Sequence, residues 1–297
     1  MNRSPSVSAE RADRGSERDT HSFVTSDGVE LSYRDNDGPG IPLVMLPGLG
    51  QSQLAFHHQF DGLKDRRRVI TLDFRGHGSS STPPHGYRIA RFAADVRDLV
   101  GHLELDRFDA FGWSMGASVW WSFIDLFGTS LLRRFVIVDQ PSAIALLTWM
   151  SHDEKADAGA LWDLSTIEQA VAGQRNSDSA AISADALAWT YTGELDDVVA
   201  ETLVTGMRLS SADAVGRILF DHAVQDWRDV LPRIDVPTLV IGAEGSHVSS
   251  RSQASTASAI PGARLHVFPS EVASSHFPFL QNPNAFDAVL EDFLSED

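Results

Sequence analysis

The five residues from Gly112 to Gly116, with the sequence GWSMG, constrain the fold of this chain more than any other feature. They follow an apolar run at 108–111 that predicts a buried strand and open an apolar run at 117–127 that predicts a buried helix. A Gly-x-Ser-x-Gly sequence between a strand and a helix is typical of a nucleophile elbow, a turn so sharp that the serine needs small neighbours. Such a turn raises the Ser114 hydroxyl above the carboxyl edge of a sheet and directs the Met115 N–H to where an oxyanion would form.

Strand-like and helix-like stretches alternate along the chain from Ser22 onward. This alternation predicts an α/β fold, in which a mostly parallel sheet is flanked by helices on both faces. Strands are expected at residues 23–25, 30–34, 41–46, 68–74, 108–111, 134–139, 237–242 and 263–268. Helices are expected at residues 52–63, 89–105, 117–127 and 284–294.

Strand patterns disappear between Gln140 and about Arg233, where the sequence is mostly helical in pattern. We therefore expect a helical cap, residues 141–233, inserted after the sixth strand of a core formed by residues 21–140 and 234–297. Packing within the cap is the favoured role for most of its large aromatic side chains, and a few are expected to line a cleft below it. These aromatic residues are Trp149, Trp162, Trp189, Tyr191 and Trp227.

Composition excludes several classes of function. The chain has 24 Lys and Arg against 41 Asp and Glu, a formal net charge of -17, which argues against nucleic acid or an anionic membrane as a partner. It has no cysteine, so disulfides, thiolate metal sites and cysteine nucleophiles are excluded. No metal, nucleotide or flavin motif is present, and we expect no cofactor.

Residues 1–20 are polar and mixed in charge, without the apolar centre of a secretion signal. We expect them to form a disordered leader on a cytoplasmic protein. No apolar run approaches the roughly 18 residues that a membrane span requires.

A serine needs a base to accept its proton, and the chain offers eleven histidines. His276 is the favoured base, because it lies after the last predicted strand and before the closing helix, where a loop can reach back to the serine. His247, which follows the strand ending at Gly242, is the rival. His77 is expected to support the loop after its own strand.

The base in turn needs a carboxylate to orient it. Asp139, at the end of the strand before the cap, is favoured, and Glu244, in the loop after the next strand, is the alternative. The order Ser114, Asp139, His276 matches the Ser…Asp…His order typical of this strand–turn–helix architecture. Asp139 could instead cap the start of the inserted segment.

An oxyanion hole needs a second N–H donor besides Met115. The loop Leu46–Ser52, with the sequence LPGLGQS, has glycines that permit close approach of the backbone to a substrate, and the Leu49 N–H is the candidate donor. An ordinary glycine-rich turn would have the same sequence.

Four motifs together resemble those of the α/β-hydrolase superfamily, and the likeness runs from about Phe23 to Leu294. They are LPGLG at 46–50, DFRGHGSS at 73–80, GWSMG at 112–116 and SHFP at 275–278. The resemblance implies an α/β-hydrolase fold with an eight-stranded sheet, but one fold hosts many reactions and the motifs do not identify a substrate.

The chain departs from many members of that superfamily in two places. Pro47-Gly48 stands where many relatives have His-Gly, which preserves an N–H donor and removes the histidine side chain. Ser246 stands where many relatives carry the acid, which strengthens Asp139, because some subgroups keep the acid after the strand preceding the cap. Lactonases of the zearalenone type and cofactor-free quinolone dioxygenases look similar in this respect, and residues 112–140 look like sequences labelled non-heme chloroperoxidase.

The leading hypothesis is a serine hydrolase that cleaves a carboxylic ester or lactone of an apolar, small-molecule substrate. A cofactor-free dioxygenase of a heteroaromatic substrate, a perhydrolase with haloperoxidase-like activity and a non-enzymatic ligand receptor are the alternatives. Haloalkane dehalogenase and epoxide hydrolase are disfavoured, because the similar subgroups use an aspartate where this chain has Ser114. The oligomeric state stays open.

Overall fold

The computed structural model describes residues 19–296. The predicted leader, residues 1–20, lies outside the described residues except for Asp19 and Thr20, and Thr20 begins the first strand. The predicted eight-stranded sheet is confirmed. Its strands are β1 (Thr20–Val24), β2 (Glu30–Asp35), β3 (Leu43–Leu46), β4 (Val69–Leu72), β5 (Phe108–Trp113), β6 (Leu132–Val138), β7 (Thr238–Ala243) and β8 (Arg264–Phe268).

The strand order in the sheet is β1-β2-β4-β3-β5-β6-β7-β8. β2 pairs antiparallel with both β1 and β4, and all the remaining neighbours are parallel. Every residue of β3, β4, β5 and β7 is buried, as expected for parallel strands covered on both faces. The carboxyl ends of the parallel strands therefore meet at one edge, which we call the upper edge of the sheet.

Helices cover both faces of the sheet, as the alternating pattern predicts. α2 and α3 pack on one face, and α1 and α10 on the other, each over its own apolar cluster. The α-helices of the described residues are α1 (His57–Gly62), α2 (Ile89–His102), α3 (Met115–Phe127), α4 (His152–Ala158), α5 (Leu164–Arg175), α6 (Asp197–Arg208), α7 (Ala212–Ala223), α8 (Ser250–Ala259), α9 (Pro278–Gln281) and α10 (Pro283–Leu294).

Differences from the sequence-based expectation include the end of one helix and the presence of another. The helix expected at 89–105 ends at His102, because Glu104 takes a left-handed φ of 52° and the Leu105 N–H closes the end by donating to the Val100 carbonyl at 3.0 Å. α8 was not expected from the sequence. Its sequence, SRSQASTASA, has no apolar stripe, and most of the side chains that it buries are polar.

Residues 139–237, which connect β6 to β7 and which we call the insertion, contain α4 to α7 and three short 3₁₀ helices. All of these residues are described, and none of them belongs to a strand of the sheet. Within the insertion α5 crosses α7 closely at Gly216, where a Cβ would lie 2.2 Å from Cγ of Arg175. In the part of the chain that the structure describes, no helix combines the length and apolar character needed to cross a membrane.

The junction of β5 with α3 is closed by backbone contacts that only glycine permits. A Cβ on Gly116 would lie 2.2 Å from the carbonyl oxygen of Leu46 in β3, and a Cβ on Gly112 would lie 2.5 Å from Cα of Ala117. The first turn of α3 therefore rests directly on the end of β3. This contact fixes the height and direction of the residue between the two glycines, Ser114.

We expect Gly116→Ala to lower the free energy of unfolding by about 1–3 kcal/mol, because the obstructing atom is backbone and cannot rotate away. Urea denaturation followed by circular dichroism would measure the change. The control is Gly173→Ala in α5, where a Cβ meets nothing within 4 Å and stability should stay constant or rise by up to about 1 kcal/mol. Equal losses in the two variants would contradict a special constraint at the junction.

Candidate active site

Ser114 lies at the upper edge of the sheet in a strained backbone conformation, with φ of 52° and ψ of -126°. Its N–H donates to the Val138 carbonyl at the end of β6 at 2.9 Å, and its own carbonyl accepts from Ala117 N–H at 2.8 Å. The turn is thus held from both sides. A strained non-glycine residue of this kind is typical of a functional position, because the surrounding structure must maintain it.

The candidate oxyanion donors lie on either side of this serine. Met115 is the first residue of α3, so its N–H has no acceptor within the helix. In the loop after β3, a Cβ on Gly48 would lie 3.3 Å from Cβ of Ser114, which brings that backbone beside the serine. The Gly50 N–H donates to Nε2 of His77 at 3.2 Å, so the neighbouring N–H of Leu49 remains the candidate second donor.

His77 links two loops at the upper edge. Its Nδ1 donates to the Arg75 carbonyl at 3.1 Å in its own loop, while its Nε2 accepts from Gly50 in the loop after β3. Burial lowers the pKa of His77 to about 4, so the ring is neutral at neutral pH and fits one tautomer that makes both bonds. The sequence suggested only support of its own loop.

The structure brings Asp139 and His276 together. His276 Nδ1 donates to Oδ2 of Asp139 at 2.6 Å, and both side chains are buried. The hydroxyl of Ser246 donates to the same carboxylate oxygen. Glu244, the alternative acid, is exposed and instead accepts from the Ser270 N–H at 3.2 Å.

Burial sets the protonation of this pair. It lowers the pKa of the His276 imidazole below the ordinary value, because the positive form loses hydration. It also raises the pKa of the Asp139 carboxyl, and the hydrogen bond from Ser246 acts in the opposite direction. At neutral pH His276 is therefore unprotonated, as a base must be.

His247, the rival base, lies beside His276 rather than on the carboxylate. The two imidazole centroids are 4.4 Å apart, and the other side of His247 meets the ring of Trp189 at the same separation. Burial lowers the pKa of His247 to about 3. This side chain thus forms part of the wall around the base.

Trp113 positions His276 through a hydrogen bond and a ring contact. Its Nε1 donates to the His276 carbonyl at 2.7 Å, and its ring centroid lies 5.6 Å from the imidazole. The middle residue of the Gly-Trp-Ser sequence therefore fixes the backbone of the distant histidine. Sequence reasoning missed this contact, because 163 residues separate the two side chains.

A cavity of about 430 Å³ lies between the upper edge of the sheet and the insertion. Ser114 and His276 line it together with Leu49, and the insertion supplies most of the remaining wall. Of the aromatic residues expected in the insertion, Trp162 and Trp189 line this cavity. The insertion's other lining residues are mainly apolar. The apolar ones are Pro141, Ile144, Gly159, Leu161, Ala170, Ala186, Leu187, Leu203, Met207, Val215 and Leu219, and the polar ones are Gln140, Gln174, Thr190 and His222.

The other aromatic residues of the insertion do not line the cavity. Trp227 is buried and packs 6.3 Å from the ring of Trp121 in α3. Trp149 is exposed, and Tyr191 packs 6.4 Å from the ring of Phe277. Two of the five aromatic side chains therefore pack, two line the cavity and one is exposed, so packing accounts for fewer of them than expected.

Sequence reasoning missed several polar wall residues, of which His222 is a buried one. His222 in α7 is 3% exposed and lines the cavity. The sequence did contain a signal for His222. It lies on the apolar face of a helix, at a spacing of three and four residues from its neighbours on that face, which are Val215, Ile218 and Leu219. Among residues 19–296, no group of three or more His, Asp or Glu side chains could hold a metal ion.

Comparison with known proteins agrees with this fold. A family model described as the alpha/beta hydrolase fold matches residues 41–283. A putative non-heme chloroperoxidase from Synechocystis is 27% identical over 74% of this chain and 79% of its own length. The 3-oxoadipate enol-lactonase 2 of Acinetobacter baylyi is 26% identical over 90% of this chain and 94% of its own. The solved structure of an esterase from Exiguobacterium antarcticum superposes with a TM-score of 0.81 and 21% identity, covering 93% and 99% of the two chains.

We expect the short bond between His276 and Asp139 to give a far-downfield proton resonance in the NMR spectrum, because the shared proton is strongly deshielded. The resonance should disappear or move upfield in Asp139→Asn. Glu244→Gln is the matched control and should leave it in place. A resonance that stays at the same position in Asp139→Asn, or that is lost in Glu244→Gln, would show that Asp139 is not the acid paired with His276.

Proposed function

The chain belongs to the alpha/beta hydrolase fold family, and on the geometry of its site we propose that it is a serine hydrolase that cleaves a carboxylic ester or lactone through an acyl-enzyme. One observation carries this proposal. Ser114, at a strained turn, and His276, hydrogen-bonded to the buried Asp139, line the same cavity.

The first half of the reaction would form the acyl-enzyme. Oγ of Ser114 attacks the carbonyl carbon, and Nε2 of His276 accepts the hydroxyl proton. The N–H groups of Leu49 and Met115 bind the negative oxygen of the tetrahedral intermediate. As the intermediate collapses, the carbon–oxygen bond to the alcohol breaks and His276 returns the proton to the departing oxygen.

The second half would release the acid. Water attacks the acyl carbon while His276 accepts its proton, and the proton then passes to Ser114 as the ester bond to the enzyme breaks. Asp139 stabilises the imidazolium formed in each half. Ser246 donates to the same carboxylate oxygen as His276, which keeps the carboxylate in its orientation when the histidine charge changes.

We further propose that the insertion is a cap that selects the substrate. It supplies most of the cavity wall, and that wall is largely apolar. A cavity of about 430 Å³ is in the range of small-molecule sites, so an apolar ester or lactone is the substrate class that fits best. The esterase and enol-lactonase names of similar proteins support the same reaction class.

A perhydrolase is the second candidate, favoured by the chloroperoxidase name of one relative. Hydrogen peroxide would replace water as the nucleophile on the acyl-enzyme and release a peracid. Peracid formation that depends on Ser114 would distinguish this reaction from simple hydrolysis.

We expect Ser114→Ala to lower kcat on p-nitrophenyl esters by at least about a thousandfold, because the variant lacks the hydroxyl that is proposed to form the acyl-enzyme. Initial rates of p-nitrophenol release would measure this. The matched control is Ser118→Ala, a buried serine of α3 whose hydroxyl has no hydrogen-bond partner among the described residues and which does not line the cavity. Turnover retained in Ser114→Ala would contradict the acyl-enzyme and favour chemistry by His276 and Asp139 alone.

We expect the acid limb of the pH profile of kcat/KM to lie below pH 6.5, the ordinary pKa of histidine. Only the neutral imidazole can accept the serine proton, and burial of His276 delays its protonation to lower pH. Circular dichroism at each pH would show that the protein stays folded. A midpoint at or above pH 6.5 would overturn the assigned environment of the base.

A further inference from the structure

The wall of the cavity carries no formal charge. Among the described residues that line it, none is Asp, Glu, Lys or Arg, although the whole chain has a formal net charge of -17. The polar side chains of the wall are amides, hydroxyls and imidazoles. Binding a charged group here would remove its hydration without supplying an opposite charge, which is strongly unfavourable.

Three side chains of this wall, those of Gln51, His222 and His247, have a buried polar atom without a hydrogen-bond partner among the described residues, and His222, at 3% exposed, is the least exposed of the three. Its Nδ1 is buried, and no described residue forms a hydrogen bond with either ring nitrogen. Nε2 is the ring nitrogen that a substrate in the cavity can reach, so a bound substrate can supply the partner that the described residues do not. Burial lowers the pKa of His222 to about 3, so the ring is neutral and carries a single N–H.

The position of that proton follows from the burial of Nδ1. An enclosed N–H without an acceptor costs more than an enclosed lone pair, so the neutral ring places its proton on Nε2. Nε2 lies at the outer end of the side chain, and the side chain lines the cavity. His222 therefore offers one uncharged hydrogen-bond donor to a molecule bound in the cavity.

We infer that the substrate is electrically neutral and carries, besides the reacting ester, one acceptor oxygen (a ketone, ether or hydroxyl) that binds the N–H of His222. This inference rests on the proposed ester hydrolysis and adds a substrate class to it. Anionic substrates, such as lactones that carry a free carboxylate, are excluded by the same wall.

Matched esters test the inference on both sides of the scissile bond. One panel is p-nitrophenyl octanoate, its oxo derivatives at carbons 4 to 7, and a mono-p-nitrophenyl dicarboxylate of equal length. The second panel is octyl butyrate and its oxo-octyl counterparts, whose hydrolysis is measured by the release of butyric acid. The wild type should prefer at least one oxo ester over the plain ester by about fivefold in kcat/KM, since a hydrogen bond between neutral groups changes affinity about two- to tenfold. The dicarboxylate ester should be slower than the octanoate by on the order of a hundredfold.

Variants assign the preference to His222. His222→Leu should reduce the oxo-to-plain ratio to about one, whereas His222→Gln, whose amide N–H can occupy the position of Nε2, should keep it above twofold. His266→Leu is the control, because this histidine of β8 also has an unpartnered ring nitrogen but does not line the cavity. A merely structural role would change all rates together and leave the ratio constant.

The outcomes separate the two proposals. No turnover of any ester by the folded wild type would reject the proposed function. Turnover without an oxo preference above twofold, an unchanged ratio in His222→Leu, or efficient cleavage of the dicarboxylate ester would reject this inference alone.

Discussion

The direct contact between the first turn of α3 and the end of β3 is the constraint on which the site depends. Because Gly116 has no side chain, its Cα can lie against the carbonyl of Leu46, and α3 can start immediately above the sheet. That close start leaves Ser114 no relaxed conformation and forces its φ to 52°. The same contact places the loop after β3 beside the serine, so one packing relation determines both the candidate nucleophile and the candidate oxyanion donors.

Three strand ends and the residues that follow them hold the candidate base in place. Asp139 follows β6, Ser246 follows β7, and His276 follows β8, and both the serine and the histidine donate to one carboxylate oxygen. Many relatives carry the acid after β7, whereas this chain has Asp139 after β6 and the smaller Ser246 after β7. Ser246 fills that position with a hydroxyl that holds the carboxylate, so the position still contributes to the site.

Charge is distributed unevenly in this protein. The acidic excess lies outside the cavity, and the buried carboxylate of Asp95 is paired with Arg75 at 2.6 Å. Inside the cavity wall the titratable groups are histidines whose pKa burial lowers. A neutral wall keeps the base unprotonated, and it favours substrates that are neutral as well.

The sequence by itself determined the fold and named Ser114, His276 and Asp139 as candidates, because the elbow requires glycines at fixed spacing and parallel strands present their ends at one edge. It favoured Asp139 and left Glu244 open as the alternative acid, since the two residues follow neighbouring strands and differ in the direction of their side chains. It also missed α8, whose buried face is polar, and the contacts of His276 with Trp113 and of His77 with Gly50. The tertiary structure decided these contacts, because they join residues far apart in sequence through single hydrogen bonds that leave no periodic pattern. It also decided α8, because a helix that buries polar side chains has no apolar period in its sequence.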